Sequence, residues 1–549
     1  MKKYFILLFF YFLSSIFYAQ HIPFTIQKSE VLKDETVKSS IVITEKYNEK
    51  DLLIVRSYNN NGLGLNEGFI IEKYDSNLKR IKEFDFNSKH PTSEKYNIVI
   101  GAFTIQNNIV IVETFFDLNR KAYICEANII SNDFKISKKE LFSFSKEDIK
   151  DFGTFSLQDK FYSKANFIWT NDNSGDIGPE LQTGLTDRID NFTNSDITLV
   201  VNKTKSAFAI AVNFKGEKTA AIKLFVFDTK LNKNFETVFS KETKDKKYFF
   251  KNIQISDDGK NLFVVAKSYP NELKNKKTGG KYVFELSKIN ATSQKTKEIN
   301  PNDHFIGSLK IFLQNDTLIC LGFYSDSGDF KYTGIGYFSL NSESLDFNNT
   351  KYNPFSKQFL MDKYGDKKPK ALNNIAFRNV FVNPNRTLIL NAEEAYISIS
   401  QSAGVNGMSG GGQTYYNFND IISLELNPEG ELIWARNINK DQSTAIDENA
   451  FFISYTSTIL NDKTYFFINA KDKIKKLKDD RIEFGQTNKN KSNLNLIRLD
   501  SNGNFDYQEI LDDEENTVPF MVAKGIVIEN SLYFLGRKGK DKQLLKITL

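Results

Sequence analysis

Polar turns followed at once by short, strongly apolar runs recur along the chain. The turns are rich in Asn, Asp, Lys and Gly, and the runs are triplets of mostly aliphatic and aromatic residues. There are eight such triplets, at 52–54, 109–111, 208–210, 262–264, 318–320, 388–390, 465–467 and 532–534. A polar turn between two apolar segments is typical of a β-hairpin, so the pattern predicts a hairpin at each copy.

A second pattern follows several of these hairpins. It is an alternating apolar–polar strand, a polar turn and another alternating strand, found at 70–84, 222–239, 421–438 and 494–510. Two hairpins give four antiparallel strands, and a four-stranded unit repeated around a ring is a propeller blade. The sequence therefore predicts an all-β fold, a β-propeller of about eight four-stranded antiparallel blades. Seven blades, or an array of β-sandwiches, are the alternatives.

The spacing of the triplets tests this interpretation. Between their third residues the intervals are 57, 99, 54, 56, 70, 77 and 67 residues. All but one fit a blade with variable loops, whereas the interval of 99 needs a degenerate blade or an insertion. An insertion is favoured, because 172–192 lacks clear apolar strands. A single propeller domain is predicted over 20–549, with insertions at the following places: near 150–192, 352–374, 400–418 and 471–493.

The two ends of the chain predict how the ring closes. The last unit, from Gly525, supplies only three strands and finishes on the apolar segment 544–549, while 22–32 is a strand-like segment near the start. Pairing the terminal strands within one blade protects the last sheet edge. We therefore expect the N-terminal segment to complete the blade that ends at Leu549.

Two stretches resemble repeats of known propeller families. Residues 257–265 (DDGKNLFVV) resemble the turn and strand of TolB-type propeller repeats. Residues 424–436 (LELNPEGELIWAR) resemble the strand–turn–strand of pyrroloquinoline-quinone-type repeats, including Trp434 after the turn. The resemblance implies a propeller with a core aromatic at Trp434. Quinone binding does not follow, since the chain has no counterpart of the cofactor- and calcium-binding residues of those enzymes, and no cofactor is expected.

Residues 1–19 have the features of a secretory signal peptide. Lys2 and Lys3 precede an apolar run that is followed by Ala19, and a basic start, a short apolar core and a small final residue are typical of such signals. The run is short for a membrane span, which needs about 20 apolar residues. We expect cleavage after Ala19, no membrane span in the mature chain, and export to the periplasm or the cell exterior.

Charge narrows the class of partner. The chain has 73 Lys and Arg residues against 68 Asp and Glu residues, a net charge of +5 that falls to +3 when Lys2 and Lys3 are removed. The two signs are interspersed, so a nucleic-acid-binding surface is not indicated. A protein or glycan partner is expected, and the oligomeric state stays open.

Cysteine and histidine are too scarce to indicate a reaction. Cys125 and Cys320 lie in apolar, strand-like segments and are interpreted as buried thiols rather than a disulfide. His21, His90 and His304 are isolated and lack metal-ligand spacing. This argues against zinc sites and most Ser–His or Cys–His nucleophile systems. No catalytic residue and no metal site is assigned, and the balance is against an enzyme.

Loops that interrupt the repeat supply the candidate binding residues. Asp172 and Asp176 have the alternating spacing of some calcium loops, but the glycine and the final glutamate of such a loop are absent, so a solvated loop is favoured. Tyr415 and Tyr416 follow a Gly- and Ser-rich stretch at 402–413. That stretch is interpreted as a disordered excursion, with a mobile lid or a partner-binding loop as the functional alternative.

A repeat scaffold with variable loops and no catalytic motif favours a secreted or periplasmic binding and interaction module. One alternative is a carbohydrate-active enzyme that uses a pair of carboxyl groups, which needs no histidine. The other is a structural component of a cell-envelope assembly.

Overall fold

The computed structural model describes the following residues: 22–34, 39–46, 51–59, 67–87, 94–155, 197–216, 218–243, 248–270, 282–299, 304–327, 331–367, 372–400, 413–445, 451–471, 473–479, 481–485 and 492–549. Over these residues the chain forms eight antiparallel blades arranged as a β-propeller. The predicted fold class and blade number are thereby confirmed. The predicted signal peptide and the segments 156–196 and 401–412 lie outside the described residues.

Blades 1 to 4 each contain four strands that pair in chain order. Their bounds are β3 (Ser39–Lys46), β4 (Leu52–Asn59), β5 (Glu67–Tyr74) and β6 (Arg80–Asn87); β7 (Glu94–Ile105), β8 (Asn108–Asp117), β9 (Ala122–Ile130) and β10 (Ile136–Ser145); β11 (Ile197–Val201), β12 (Ala207–Lys215), β13 (Thr219–Asp228) and β14 (Lys233–Glu242); and β15 (Tyr248–Ile255), β16 (Leu262–Ser268), β17 (Val283–Ile289) and β18 (Gln294–Ile299).

Blades 5 to 8 carry additions to the same plan. Their bounds are β19 (Phe305–Ile306), β20 (Lys310–Gln314), β21 (Thr317–Ser325), β22 (Gly334–Asn341) and β23 (Phe347–Pro354); β24 (Ile375–Val382), β25 (Leu388–Ser400), β26 (Gln413–Leu426) and β27 (Leu432–Ala445), with β30 (Lys475–Lys476) and β31 (Ile482–Gly485) on the outer edge; β28 (Thr456–Leu460), β29 (Lys463–Ala470), β32 (Asn493–Leu499) and β33 (Phe505–Leu511); and β34 (Ile526–Ile528), β35 (Ser531–Lys538) and β36 (Asp541–Thr548), with β1 (Thr25–Lys28) and β2 (Leu32–Lys33). Helix α1 (Lys357–Tyr364) connects blades 5 and 6.

The apolar triplets all lie in the second strand of a blade, namely β4, β8, β12, β16, β21, β25, β29 and β35. The second pattern corresponds to the outer hairpins β5–β6, β13–β14, β26–β27 and β32–β33. Second and third strands are nearly continuously buried, because neighbouring blades pack on both of their faces. This burial explains why the strongest hydrophobic signal in the sequence marks these positions.

The inner hairpins turn tightly at polar residues. Gln106 and Asn107 between β7 and β8 have φ angles of 48° and 64°, and Asn461 and Asp462 between β28 and β29 have φ angles of 50° and 57°. Two successive residues with positive φ form the mirror-image turn whose twist matches that of the flanking strands. Asn and Asp adopt this left-handed conformation more readily than other non-glycine residues. The polar turn residues of the repeat are therefore explained by backbone geometry.

The first strands of the blades surround the axis of the ring. Contacts join β34 to β3, β3 to β7, β7 to β11, β11 to β15 and β15 to β20. Because consecutive strands are antiparallel, first and third strands begin on the face of the ring where second and fourth strands end. We call this the upper face and its opposite the lower face.

Several first strands contain one residue more than their partner strand. The extra residue is Val42 in β3, Ile100 in β7, Lys251 in β15 and Arg378 in β24, each at a shift in register. Such a bulge bends the strand and redirects a side chain. In blades 4 and 6 the redirected side chain is a cation.

The ring closes as predicted, by pairing the two ends of the chain in blade 8. Thr25 pairs with Thr548 and Lys28 with Leu545, while β2 pairs with the start of β36. Between the two short strands, the hydroxyl of Ser29 accepts a 2.9 Å hydrogen bond from the amide of Leu544. The N-terminal segment therefore covers the edge that β36 would otherwise expose.

A buried charge cluster, the closure clamp, follows this segment. The Arg56 guanidinium of blade 1 binds both carboxylate oxygens of Glu72, at 2.8 and 2.9 Å, and donates to Asp34 at 2.6 Å and to the Ser39 hydroxyl at 2.8 Å. The amide of Asp34 donates to the carbonyl of Lys540 in blade 8. The clamp therefore links the closing segment to the blades on both sides of it.

The cysteines and Trp434 are packing residues. Cys125 in blade 2 and Cys320 in blade 5 are buried and unpaired, so the interpretation as buried thiols is confirmed. Trp434 is buried between blades 6 and 7, where its ring contacts Gly503, and its indole N–H donates to Glu425 at 2.7 Å. In the described part of the chain, no helix combines the length and apolar character that a bilayer crossing requires.

Candidate functional site

Blade 6 extends further on the upper face than the other blades. Its second, third and fourth strands have 13, 14 and 14 residues, whereas the corresponding strands of the other blades have at most 10 residues in the described chain. Beyond the blade body, 395–400 pairs with 413–418, which in turn pairs with 442–445. We call this three-stranded projection the blade 6 extension.

Two of the candidate binding residues from the sequence lie on this extension. The Tyr416 ring is half-buried, 6.3 Å from the ring of Phe418 and packed beside Ile453, and burial raises the pKa of its phenol. Tyr415 is also partly exposed, and its hydroxyl donates to the side chain of Gln413 at 3.0 Å. Tyr416 thus anchors the extension to the blade. Asp172 and Asp176 lie outside the described residues.

At the base of the extension is a group that we call the Arg378 cluster, which consists of Arg378, Glu393, Lys440, Gln442 and Ser454. The Glu393 carboxylate is fully buried and lies 3.2 Å from Nε of Arg378, while it accepts 2.7 Å hydrogen bonds from Nζ of Lys440 and from the Ser454 hydroxyl. The Arg378 guanidinium also donates to the Ser454 hydroxyl. One carboxylate therefore balances two cations.

The position of the cluster is set by neighbouring backbone. Lys440 also donates to the carbonyl of Phe418 at 2.7 Å, and the Gln442 side-chain oxygen accepts from the amide of Ser454 at 2.9 Å. The guanidinium of Arg378 lies between two rings, 5.7 Å from Phe418 and 5.6 Å from Tyr455. These contacts hold Arg378 in one place at the junction of blades 6 and 7.

A third cation, Lys524, approaches the cluster from blade 8. It lies in a 3-10 turn (Val522–Lys524) just before β34. The Thr456 hydroxyl donates to the carbonyl of Val522 at 2.6 Å and accepts from the amide of Gly525 at 3.0 Å, which fixes the turn against blade 7. Nζ of Lys524 lies 5.2 Å from the ring centre of Phe451.

Lys524 has no carboxylate partner among the described residues. Burial, and then the positive charge of Arg378, lower the pKa of Lys524 from its ordinary value of 10.5 to about 8. A charge that is partly removed from water and placed beside a like charge is destabilised, and a nearby anion stabilises it. The Arg378 cluster and Lys524 together carry three cations and one internal carboxylate, which is an arrangement suited to binding an anion.

The adjacent ion network around Lys363 is closed, by contrast. Nζ of Lys363 bridges Glu394 at 2.7 Å and Asp420 at 2.6 Å, and all three side chains are largely buried. Burial raises the pKa of Glu394. Arg436 pairs with Asp362 on the same helix at 2.5 Å, so these ion pairs attach helix α1 to blade 6. Glu393 and Glu394 are successive residues of β25, and successive side chains of a strand point to opposite faces of the sheet. Glu393 therefore belongs to the Arg378 cluster, and Glu394 belongs to the network around Lys363.

His304 lies on the upper face of blade 5. Its Nδ1 is 2.7 Å from Oδ1 of Asp326, and its ring centre is 4.1 Å from Tyr352 and 4.8 Å from Tyr324. Tyr324 and Tyr352 also contact each other, at 5.2 Å. The imidazole therefore packs among aromatic side chains, consistent with a structural position at the start of this blade.

Sequence reasoning missed the residues of the Arg378 cluster and Lys524. Glu393, Lys440 and Lys524 stand in segments that read as ordinary strands and connections, among 73 basic and 68 acidic residues. The one local signal is the charged pair 393–394, which follows the apolar triplet 388–390 within the same strand, β25. Only the register shift at Arg378 and the meeting of three blades bring these side chains together.

We predict that replacing Lys524 with methionine stabilises the protein by about 1–3 kcal/mol at pH 7. With a pKa of about 8 in the folded state against 10.5 when unfolded, the unfolded state binds more protons between these values. The stability of the native protein should therefore rise relative to the variant as the pH increases from about 8 to 10.5. Urea unfolding at several pH values tests this, with Lys79→Met, at an exposed lower-face turn, as the control. Equal stability of both variants at pH 7 would contradict it.

Comparisons with known proteins identify no family for this chain. No protein-family model matches the chain, and no curated protein matches it. The β-propeller domain of the Trilobed protease from Pyrococcus furiosus aligns over 83% of this chain and 94% of its own, at 9% identity and a TM-score of 0.31. Polysaccharide lyase Uly1 aligns over 84% and 94%, at 12% identity and 0.33. Drosophila Plexin A in complex with Semaphorin 1b aligns over 95% and 87%, at 10% identity and 0.31. Such distant likenesses carry no argument about function.

Proposed function

We propose that the protein is an exported binding module that holds a protein or glycan partner on its upper face, at the blade 6 extension. The observation that carries this proposal is the cationic site at the base of the extension. There Lys524 lies over the Phe451 ring within the electrostatic influence of Arg378, and it has no carboxylate partner among the described residues. A cation of this kind destabilises the fold when nothing is bound. Its position on the face with the longest strands supports a role in binding.

The residues around the site favour a role in binding a partner over a purely structural role. Loops and extensions on a rigid scaffold are where propellers and other repeat folds present binding residues. Tyr415 lies partly exposed on the extension, and Phe451 lies partly exposed beneath Lys524. Aromatic side chains next to cations provide both apolar contact and charge for a partner. Because these side chains are already held in place before a partner binds, less conformational entropy is lost on binding.

The enzymatic alternative receives less support from the described residues. A carboxylate-based glycosidase needs two carboxyl groups facing each other across space for the substrate. The carboxylates of Glu394 and Asp420 come near each other, but the ammonium of Lys363 lies between them and binds both. Glu393 is likewise engaged by Arg378 and Lys440.

Binding is tested with the mature chain labelled with a fluorophore. The probes are an array of purified neutral and acidic oligosaccharides, and intact cell envelopes of the source organism. We expect binding to at least one probe, and a loss of at least fivefold in the Lys524→Gln variant. The Lys79→Gln variant, changed at an exposed turn on the lower face, should bind like the native protein.

The outcomes separate the alternatives. Retention in washed envelopes at a fixed stoichiometry, with no binding of soluble probes, would favour a structural component of an envelope assembly. Turnover of an oligosaccharide that a single Asp or Glu substitution abolishes would replace the proposal with the enzymatic one. Binding to no probe, or binding that is equal in all variants, would overturn the assignment to this face.

A further inference from the structure

Lys524 presents unused hydrogen-bond donors. An ammonium group has three N–H donors, and among the described residues none of them has an acceptor. The ring of Phe451 lies 5.2 Å from Nζ, which supplies a weak cation–π contact and no hydrogen bond. The turn that carries Lys524 is held by Thr456 on both of its sides. The ammonium is therefore positioned by the fold, and the described residues supply no acceptor for it.

Arg378 is also only partly engaged. Its guanidinium has five N–H donors in a planar fork. Nε contacts Glu393, Nη2 donates to the Ser454 hydroxyl, and the guanidinium also forms a hydrogen bond with the Tyr455 phenol. The side chain is fixed between the rings of Phe418 and Tyr455. The remaining donors belong to a group that is rigid before any ligand arrives, which favours recognition of a compact acceptor.

We propose that Arg378 and Lys524 together bind one oxyanion group of the ligand, a carboxylate, sulfate or phosphate. This inference rests on the proposed binding function, since the oxyanion belongs to the bound partner. Two neighbouring cations, one with a planar donor fork and one with a compact ammonium, match the several acceptor oxygens of such a group. The oxyanion restores the charge balance that Glu393 alone does not provide.

Other charges near Lys524 do not supply this balance. The Arg378 guanidinium approaches from β24, while Tyr455, which precedes β28, has a pKa raised well above its usual value by burial and stays neutral. On β35, the guanidinium of Arg537 lies 5.7 Å from the ring centre of Phe452 and adds positive charge to this side of blade 8. Lys440, whose pKa burial lowers, is already bound to Glu393.

The proposal is tested by isothermal titration calorimetry of the full mature protein. The probes are inorganic phosphate, inorganic sulfate and acetate, each at constant ionic strength and pH 7. We expect saturable one-to-one binding of at least one probe, weakened tenfold or more by Lys524→Gln and unchanged by Lys79→Gln. Comparison of the three probes distinguishes a carboxylate from a sulfate or phosphate source. Equal affinity of Lys524→Gln and the native protein for every probe would overturn the proposal.

A pH series gives a readout that a purely structural lysine would not produce. With a pKa of about 8, the protonated fraction of Lys524 falls from about nine-tenths at pH 7 to about one-tenth at pH 9. The affinity of the native protein for the probe should fall roughly tenfold over this range. Lys524→Arg keeps its charge, so it should bind at pH 7 and lose little affinity by pH 9. A similar fall in Lys524→Arg would count against the assignment.

Failure of this inference can be told from failure of the proposed function. If the array or envelope probes bind and Tyr415→Ser weakens that binding while Lys524→Gln does not, the upper face binds a partner without an oxyanion contact. If small oxyanions bind at Lys524 but no larger probe does, the site is an anion site without the proposed partner. Circular dichroism of each variant verifies that the blades are formed.

Discussion

Replacing Arg56 with methionine is expected to lower the free energy of unfolding by about 3–5 kcal/mol. In the closure clamp the side chain of Glu72 is 1% exposed and that of Asp34 is 10% exposed. Among the described residues, removal of Arg56 leaves the Glu72 carboxylate with the 3.2 Å contact from Arg80 and a hydrogen bond with the Tyr74 phenol. A buried carboxylate that loses its main partner is strongly destabilised, because neither water nor another donor replaces the lost hydrogen bonds. Thermal and urea unfolding followed by circular dichroism measure the effect.

The matched control is Arg120→Met. Arg120 also binds a carboxylate through two nitrogens, on Glu140, but both side chains are 40% exposed or more. Exposed pairs contribute about 0–1 kcal/mol, so this variant should unfold almost like the native protein. The double variant Arg56→Met with Glu72→Met should regain most of the lost stability, since an apolar pair replaces the ionic one. Equal effects of Arg56→Met and Arg120→Met would show that the clamp does not stabilise the closure.

Deleting the chain through Lys33 should destabilise the ring by more than about 5 kcal/mol, judged from the apolar area and hydrogen bonds that the closing segment contributes. Ile22 is 1% exposed, Phe24 and Ile26 pack on the core of blade 8, and β36 loses its outer partner. An uncovered strand edge is also a template for pairing with another chain. We therefore expect a lower melting temperature together with concentration-dependent association, measured by calorimetry and by light scattering.

A chain that begins at Ile22 is the control for this deletion, because it keeps the closing segment and should melt like the mature protein. A synthetic peptide of residues 22–34, added to the shortened chain, should raise the melting temperature by occupying the vacant edge. The Ser29→Ala version of the peptide lacks the hydroxyl that accepts from the amide of Leu544 and should act more weakly. A shortened chain that melts at the native temperature would show that the closing segment is dispensable.

The architecture could be predicted because its signal is repeated. Second strands such as 109–111 and 388–390 are buried on both faces, so each produces an apolar run that stands out against the polar turn before it. Eight copies of that contrast indicate the blade number, and the missing strand of blade 8 indicates the closure. The additions to the plan were harder to predict, because β30 and β31 contain only two and four residues and carry little periodicity.

The candidate site could be predicted only in part. Tyr415 and Tyr416 were found because they follow a conspicuous Gly- and Ser-rich stretch, and they lie on the blade 6 extension. The cations beside them were not found. A lysine or glutamate in an exposed strand looks the same in sequence as one that is buried and paired, because burial depends on what the rest of the chain places over it.

The amino-acid sequence by itself determined the all-β class, the repeated hairpins, the blade number and the pairing of the two termini. These properties depend on local turn chemistry and on a hydrophobic period that every blade shares. The tertiary structure alone decided where charge is left unbalanced. Arg378, Glu393 and Lys524 are 15 to 146 residues apart in the chain. A register shift in one strand and a buried carboxylate in the next bring Arg378 and Glu393 into contact, and a turn from another blade brings Lys524 within the electrostatic influence of Arg378. Electrostatic energy depends on the distance between charges and on their exposure to solvent. Neither quantity can be predicted from residues that are close together in the sequence.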